Sequence, residues 1–488
     1  MSNEQNTGRA EAFTATQVAK GSAWSIIGFG GAAIVRMGSS VVLTRVIPDA
    51  PSVYGVMALV FSFYGGILLL SDIGVPLLLT QNRRGMEPAF RNTAWTAQVV
   101  RGVVLWLTAL ALAPLFASAY PDYPGLTELI AVTSLAAVIG GFDATALFAF
   151  RRNMETHKLA KIGLVSQICG TGVTIAHAYF DPTPWAMVSG ALMTSAVKTV
   201  IGHCVADRRD RFGWNREAAS ELMKMGVWVF LSTALTFGCM QADRLVFARL
   251  ITKEELGLYV VALRLAIAVA EILRHMNGTV LFPVLCRICH AGGDLGATFA
   301  RHRALIVSSG GLMLTAMCGG GGALMDWLYP DDFAAAGWIL QLMAAAAWVD
   351  SCLLGPRLQA LLALGHPRWT AAANLAKVAA MLTLIPVGYV QYGFLGAVAG
   401  YAATELPRYL VALFATYRHG VRNGRGDLLL ALTFVSGAAI IANLDSYLLS
   451  EQYSALIRAL IAGLISSAIW GPHCLRAVQR VRDARADG

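Results

Sequence analysis

Long apolar segments recur along the whole chain and limit what it can fold into. Each spans roughly 20 residues, the length that an α-helix needs to cross the hydrocarbon core of a bilayer. Being continuous rather than alternating, they exclude a β-barrel. The sequence predicts an all-α integral membrane protein with about 14 transmembrane helices. We place them at 22–47, 54–80, 93–117, 126–150, 161–180, 185–205, 222–248, 257–282, 303–328, 336–362, 371–391, 394–416, 428–449 and 453–475.

The composition agrees with a membrane protein. Hydrophobic residues make up 56% of the 488 residues and charged residues only 14%, whereas soluble domains carry about 25% charged residues. Residues 1–20 are polar, so we expect no cleavable signal peptide. The net charge of +9 could indicate nucleic acid, but an excess of basic residues on cytoplasmic loops explains it without such a partner.

Basic and acidic residues are distributed differently between the loops that connect the apolar segments. Lys and Arg are concentrated in every second connection, such as Arg83–Arg91, Arg151–Lys161 and Arg208–Lys224. The alternate connections carry acids, such as Asp122 and Asp331. Because loops rich in Lys and Arg stay inside the cell, both termini are predicted to be cytoplasmic.

The stretch Cys286-Arg-Ile-Cys289-His290 matches the signature of c-type haem attachment. It follows segment 257–282, on the side that we predict to be cytoplasmic, whereas such attachment belongs to the oxidising outer compartment. A zinc site would need a second Cys/His pair, and none has the right spacing. We predict neither haem nor metal here, and the role of the two cysteines stays open.

An internal repeat is suggested by "LTRVIPDAPSVYG" (43–55) and "FARLITKEELG" (247–257). In this pairing Gly55 corresponds to Gly257, as Arg45 does to Arg249. An even number of predicted helices separates the copies, so both have the same orientation. Two parallel six-helix bundles related by an axis along the membrane normal are a transporter architecture.

The repeat divides the chain into three parts. Residues 1–215 are predicted to form the N-terminal bundle and 216–420 the C-terminal bundle. Residues 421–488 add two further helices and a basic cytoplasmic tail.

Ionisable residues at membrane depth are costly and therefore face a bundle interior or a wet cavity. Cations predominate among the deepest of them, which favours a water-filled cationic cavity over buried structural ion pairs. Such a cavity suits an anionic cargo such as a phosphate or pyrophosphate group. The four proposed cargo-binding residues are Arg36, Arg101, Arg264 and Lys377.

Other polar residues of these segments have a predicted role in coupling or charge balance. Glu271 and His275 fall on the helix face of Arg264, and Asp72 and Asp350 complete the set.

Some intramembrane charges have a plainer interpretation. Lys198, Glu405 and Arg408 lie near predicted cytoplasmic helix ends, where long side chains can reach the interface. Asp243 and Arg244 could form a local ion pair.

Several stretches resemble, in chain order, the polysaccharide and oligosaccharide flippases of the multidrug/oligosaccharidyl-lipid/polysaccharide (MOP) exporter superfamily. The resemblance covers nearly the whole chain and implies two six-helix bundles in a V around a central cavity, with alternating access. It does not explain "CRICH". The stretches are "KGSAW" (20–24), "LTRVIPDAPSVYG", "SDIGVPLLLTQ" (71–81), "LFPVLCR" (281–287), "WLYPDDFAAAGWILQLMA" (327–344), "LLALGHPRW" (361–369) and "YGFLGAVAGY" (392–401).

The resemblance implies a flippase for a polyprenyl-(pyro)phosphate-linked oligosaccharide or polysaccharide precursor in the bacterial cytoplasmic membrane. Lipopolysaccharide, exopolysaccharide or capsule biosynthesis is the expected setting, with membrane lipid, glycosyltransferases and a polymerase as partners. One alternative is an ion-coupled multidrug or small-molecule antiporter of the same superfamily. The other is an integral-membrane saccharide polymerase or ligase. Because the sequence has no P-loop, H-E-x-x-H or G-x-S-x-G motif, we predict no cofactor and no enzymatic activity.

Overall fold

The computed structural model describes residues 15–71, 79, 87–153, 155–206, 209–446 and 453–486, and its regular elements there are helices. This confirms the predicted all-α class. In the N-terminal half the helices are α1 (Ala15–Val46), α2 (Ala50–Leu70), α3 (Pro88–Ser118), α4 (Leu126–Thr133), α5 (Leu135–Gly141), α6 (Ala146–Arg152), α7 (Thr156–Phe180) and α8 (Trp185–Cys204).

The second half of the chain forms ten further helices in its described residues. Its helices are α9 (Arg216–Phe247), α10 (Lys253–Met276), α11 (Phe282–His290), α12 (Leu295–Leu328), α13 (Ala336–Trp348), α14 (Gly355–Ala363), α15 (Arg368–Ala403), α16 (Glu405–Arg418), α17 (Gly424–Leu444) and α18 (Ala455–Ala486). Two π-helical turns, Asn277–Leu281 and Val349–Leu354, join α10 to α11 and α13 to α14. A short 3₁₀ turn, Asp331–Phe333, precedes α13.

Membrane-spanning potential is high throughout the described residues. Nine helical stretches there are long and apolar enough to cross a membrane, or ten if the bent stretch α4–α6 counts as one broken span. Every predicted apolar segment overlaps a helix of the structure. The chain is therefore a multi-pass membrane protein, and the count of 14 spans stays a prediction.

Helix α15 is a hairpin rather than one rod. Tyr392 and Gly393 leave helical geometry, and Gly393 has a φ of 59°, in the region that favours glycine. A Cβ on Gly388 would lie 2.1 Å from the carbonyl oxygen of Gly396, so the two arms touch through their backbones. The turn falls between the two segments predicted at 371–391 and 394–416, and the second segment covers the second arm together with α16.

Helices α2 and α10 hold the two halves together at a reciprocal contact, here called the glycine crossing. A Cβ on Gly55 would lie 1.9 Å from the carbonyl oxygen of Lys253, and one on Gly257 would lie 1.8 Å from that of Pro51. Each glycine meets the residue four positions before the other glycine. These are the two glycines that the sequence repeat pairs, so the repeat has a counterpart in the packing.

The capping of α10 fixes this crossing locally. The Thr252 hydroxyl accepts from the Glu255 backbone N–H at 3.2 Å, and the Glu255 carboxylate accepts from the Thr252 N–H at 3.0 Å. Such a capping box satisfies two backbone donors at a helix start. Ser52 of α2 donates to Glu254 at 2.7 Å, which links the two helix starts.

The two C-terminal helices pack on α12. The Trp470 indole donates to Thr315 at 2.9 Å and lies where a Cβ on Gly311 would be. Trp470 belongs to α18. In the first turn of α17, Asp427 pairs with Arg303 of α12 and Arg357 of α14, and all three side chains are buried. Helices α17 and α18 are thus anchored to the C-terminal half.

Candidate functional site

A cavity of about 800 Å³ lies between the two halves. It is lined by α1, α2, α5, α7 and α8 from the first half and by α9, α10, α13, α15 and α16 from the second. Six cations and four carboxylates are among its lining residues. A charged, water-accessible cavity inside an apolar protein is a candidate site for a polar cargo.

Three of the cations form the arginine cluster: Arg36 of α1, Arg244 of α9 and Arg264 of α10. None of them forms an ion pair with another residue that the structure describes. Arg36 and Arg264 are exposed to the cavity. Arg244 and Arg36 are near enough to act electrostatically on the Arg264 guanidinium. Three arginines that line one cavity without ion pairs to described residues are a candidate site for an anion.

The position of Arg264 is set by aromatic neighbours close to the glycine crossing. Its guanidinium carbon lies 5.6 Å from the centre of the Tyr54 ring, within the range of a cation–π contact. The Tyr54 hydroxyl donates to the Ser40 hydroxyl at 3.1 Å, and the Tyr329 hydroxyl reaches the same oxygen at 3.4 Å. These contacts hold Arg264 at the cavity surface without neutralising its charge.

The second half contributes a different surface, here called the charged wall: Arg274, Asp350, Asn374, Lys377, Glu405 and Arg408. Its charges are paired with one another. Arg408 contacts Asp350 at 2.7 Å and Glu405 at 3.3 Å, and Arg274 contacts Asp350 at 3.1 Å. Lys377 pairs with Glu405, and Arg408 also donates to Asn374 at 3.0 Å. The charged wall is largely satisfied within itself.

Local helix irregularity places Asp350 in this wall. Asp350 lies in the π-helical turn Val349–Leu354, and such turns are frequent at functional sites. The amide of Asn277, in the other π-helical turn, donates to the Ser351 carbonyl oxygen at 3.0 Å. The two irregular turns therefore brace each other.

The first half contributes the neutral wall, formed by Gln167, Thr171 and Thr174 of α7 with Thr194 and Ser195 of α8. No charged side chain of α7 or α8 is among the described lining residues. The two helices touch reciprocally, since a Cβ on Gly170 would meet Thr194 and one on Gly190 would meet Thr174, both within 2 Å.

Five of the eight predicted site residues line the cavity: Arg36, Arg264, Lys377, Glu271 and Asp350. Glu271 is exposed there and forms no ion pair with another described residue. The Lys377 ammonium forms an ion pair with the Glu405 carboxylate. Lys377 therefore lines the cavity as a paired cation, not as a free one.

Arg101 is not among the described cavity-lining residues, and its predicted role in cargo binding stays a prediction. Its guanidinium donates to the Leu68 carbonyl oxygen at 2.8 Å and to the Ser71 hydroxyl at 3.0 Å. Because the last carbonyls of a helix lack partners within the helix, Arg101 acts as a cap at the end of α2.

Two further predicted residues are not placed at the site. His275 is outside the cavity lining, and its carbonyl oxygen accepts from the Thr279 hydroxyl at 2.8 Å. Asp72, like most of "SDIGVPLLLTQ", lies outside the described residues.

Sequence reasoning missed Arg244, Glu405 and Arg408. Asp243 and Arg244 do not form the expected local pair: Asp243 accepts from the Tyr259 hydroxyl at 2.7 Å, while Arg244 lines the cavity. Glu405 and Arg408 belong to the charged wall rather than reaching the membrane interface.

Lys198 is also predicted from the sequence to reach the membrane interface. In the structure its ammonium contacts the Asp143 carboxylate at 2.6 Å.

Cys286 and Cys289 lie half-buried on α11 as free thiols. Within the described ranges no group of three or more His, Cys, Asp or Glu side chains could hold a metal ion.

Two solved structures share the fold of this chain. The fold matches that of the lipid II flippase MurJ in an inward closed conformation, with a TM-score of 0.72 over 93% of this chain and 98% of that chain, at 12% identity. It also matches an inward-facing multidrug resistance MATE family transporter of the MOP superfamily, with a TM-score of 0.61 over 80% and 94%, at 10% identity. These matches show a shared fold and confirm the predicted MOP-like fold class.

The family follows from the sequence comparisons. Residues 42–310 match the model of the family described as polysaccharide biosynthesis protein. Because this match covers more than half of the chain, the chain belongs to that family. A curated relative, the lipopolysaccharide biosynthesis protein WzxC of Escherichia coli (strain K12), is 25% identical over 276 residues. That alignment spans 55% of this chain and 54% of the relative, about half of either protein.

Proposed function

We propose that this protein is a flippase that moves a saccharide precursor linked to a polyprenyl phosphate or diphosphate across the bacterial cytoplasmic membrane by alternating access. The observation that carries the proposal is the arginine cluster, whose three cations face one cavity without ion pairs to described residues. Membership of a polysaccharide biosynthesis family supports a saccharide as the cargo.

The physical task of a flippase explains why arginine is suited to this cavity. A phosphate that crosses the membrane interior loses its hydration, which has to be replaced by other donors. Arginine stays charged when desolvated and offers a planar fork of N–H donors to phosphate oxygens. A bound phosphate would also relieve the repulsion among Arg36, Arg244 and Arg264.

Other contacts suit the remaining parts of the task. The lipid tail can stay in the bilayer while the head group occupies the cavity. The glycine crossing lies next to the cavity-lining Tyr54, at the side that the charge distribution predicts to be outward, with both termini cytoplasmic. Glu271, exposed beside the arginine cluster, would balance the charge of the empty cavity or carry a coupling proton or cation. Glycosyltransferases and a polymerase would act before and after the flipping step.

Flipping can be measured in proteoliposomes with a polyprenyl diphosphate that carries one neutral N-acetylhexosamine. Its outer-leaflet fraction is followed by periodate oxidation. Arg36→Ala, Arg244→Ala and Arg264→Ala should each lower the initial rate by about tenfold or more, as expected for loss of a charge-assisted contact. The corresponding Lys variants should retain part of the rate, since they keep the charge but not the fork.

Arg45→Ala is a matched control, because Arg45 lies on α1 like Arg36 but outside the cavity lining. Wild-type rates in all three Ala variants would contradict the proposal. Transport of a cationic drug without flipping would favour the antiporter. Elongation or transfer of the saccharide on the probe would favour a polymerase or ligase.

A further inference from the structure

The two sides of the cavity offer different partners to a ligand. On the charged wall, ion pairs occupy Lys377, Glu405 and Arg408. The neutral wall carries amide and hydroxyl side chains, and the other described lining residues of α7 and α8 are glycine, alanine and methionine. A ligand with many hydroxyl groups and no charge therefore finds open partners mainly on the neutral wall.

The hydrogen bonds inside the neutral wall show which groups remain open. Thr174 and Thr194 donate to the carbonyl oxygens of Gly170 and Gly190 at 3.0 and 2.8 Å, so their protons are used within their own helices. The Gln167 amide donates to the Thr171 hydroxyl at 3.3 Å. This leaves the Gln167 carbonyl oxygen, its second N–H and the Thr171 proton for a ligand.

Ser195 is a third residue with an open group, and it lies on the other helix. Its hydroxyl has no hydrogen-bond partner among the residues that the structure describes, and it lines the cavity. It follows Thr194, which lies against Gly170, between Gln167 and Thr171 in the chain. Gln167, Thr171 and Ser195 thus form one patch of donors and acceptors.

This patch lies at the level of Arg36. Helices α1 and α7 run side by side in the same direction, since a Cβ on Gly28 would meet Ala160 at 2.6 Å and one on Gly31 would meet Leu164 at 3.4 Å. Continued along both helices, this register places Arg36 beside the turn that carries Gln167 and Thr171. The patch and Arg36 therefore lie at the same level along the helices and line the same cavity.

We infer that Gln167, Thr171 and Ser195 form a saccharide subsite, which binds the uncharged sugar next to a phosphate held by the arginine cluster. Sugar hydroxyls donate and accept at once, and amide and hydroxyl side chains match them in both roles. The inference rests on the proposed function and adds which wall recognises the glycan.

Equilibrium binding to the full-length protein in nanodiscs tests the inference with two probes. One is a polyprenyl diphosphate without sugar, and the other is the same lipid carrying one neutral N-acetylhexosamine. Joint replacement by Gln167→Leu, Thr171→Val and Ser195→Ala should weaken the sugar-bearing lipid about tenfold to a hundredfold, for two or three lost hydrogen bonds. Binding of the sugar-free lipid should stay within about twofold.

Two controls separate the subsite from the arginine cluster. Arg36→Ala should weaken both probes. Ser166→Ala should weaken neither, because Ser166 lies on α7 outside the cavity lining and donates to the Ile162 carbonyl oxygen at 2.7 Å. If the triple variant does not fold, Thr171→Val and Ser195→Ala are measured singly, each with about a fivefold expected loss.

The results distinguish failure of the saccharide subsite from failure of the flippase proposal. Equal loss of both probes in the subsite variants, or unchanged binding of the sugar-bearing lipid, would overturn the saccharide subsite and leave the flippase proposal standing. If the wild type binds neither probe, both the saccharide subsite and the flippase proposal are overturned.

Discussion

The two walls of the cavity both include helices that pack through glycine, but they carry different chemistry. Helices α7 and α8 touch at Gly170 and Gly190, and the two arms of α15 touch at Gly388 and Gly396. Yet the neutral wall has no charged residue of α7 or α8 among its described lining residues, whereas the charged wall has two carboxylates and three cations.

The difference separates what the fold requires from what the cargo requires. Glycine contacts bury backbone against backbone, so they fix the helix crossings whatever the cavity-facing side chains are. The two halves can therefore share this kind of helix packing while one wall carries paired charges and the other carries neutral polar groups. The arginine cluster lies between them, on α1, α9 and α10.

The largest effect is expected from breaking the charged wall. Glu405→Gln should lower the free energy of unfolding by about 3–5 kcal/mol, because Lys377 and Arg408 lose a shared buried carboxylate. Chemical denaturation in detergent micelles, followed by circular dichroism, measures this loss. Replacement of the pair by Lys377→Met with Glu405→Leu should recover most of it. A loss under about 1 kcal/mol would mean that water already solvates these charges.

Substitutions at the two glycines of the glycine crossing should lower the free energy of unfolding equally, whereas substitutions in the two walls should not. Gly55→Ala and Gly257→Ala should each cost about 1–3 kcal/mol and nearly the same amount, because each added methyl group meets a carbonyl oxygen of the other helix. The same denaturation assay applies. Gly30→Ala on α1 is the control, with open space at its Cβ. Clearly unequal losses at Gly55 and Gly257 would argue against a reciprocal contact.

The smallest effect is expected in the neutral wall. Thr194→Val should cost only about 1 kcal/mol, because it removes one hydroxyl whose bond is to its own helix. Thermal unfolding beside the Glu405→Gln protein gives the direct comparison. A loss as large as that of Glu405→Gln would show that the two walls do not differ as described.

Much of the fold could be predicted because hydrophobic length is a local property of the sequence. The break between segments 371–391 and 394–416 is the hairpin turn at Tyr392 and Gly393. The repeat paired Gly55 with Gly257 as equivalent positions, and only the structure shows that they lie at one contact between the two halves. Arg36 and Arg264 were found from their depth in apolar helices, which needs no knowledge of tertiary structure.

The remaining site residues depend on partners that are distant in sequence. Arg101 caps α2, some 30 residues away, and Lys377 pairs with Glu405 across the hairpin. Arg244 could have been found with a local rule: neighbouring side chains on a helix do not face each other, so Asp243 and Arg244 point to different surroundings.

The central claim is that the arginine cluster binds phosphate, and equilibrium binding of a sugar-free polyprenyl diphosphate in nanodiscs tests it most directly. We expect the wild type and Arg45→Ala to bind this lipid alike. Joint replacement by Arg36→Ala, Arg244→Ala and Arg264→Ala should weaken binding by about a hundredfold or more. Binding of that triple variant within about twofold of the wild type would contradict the claim.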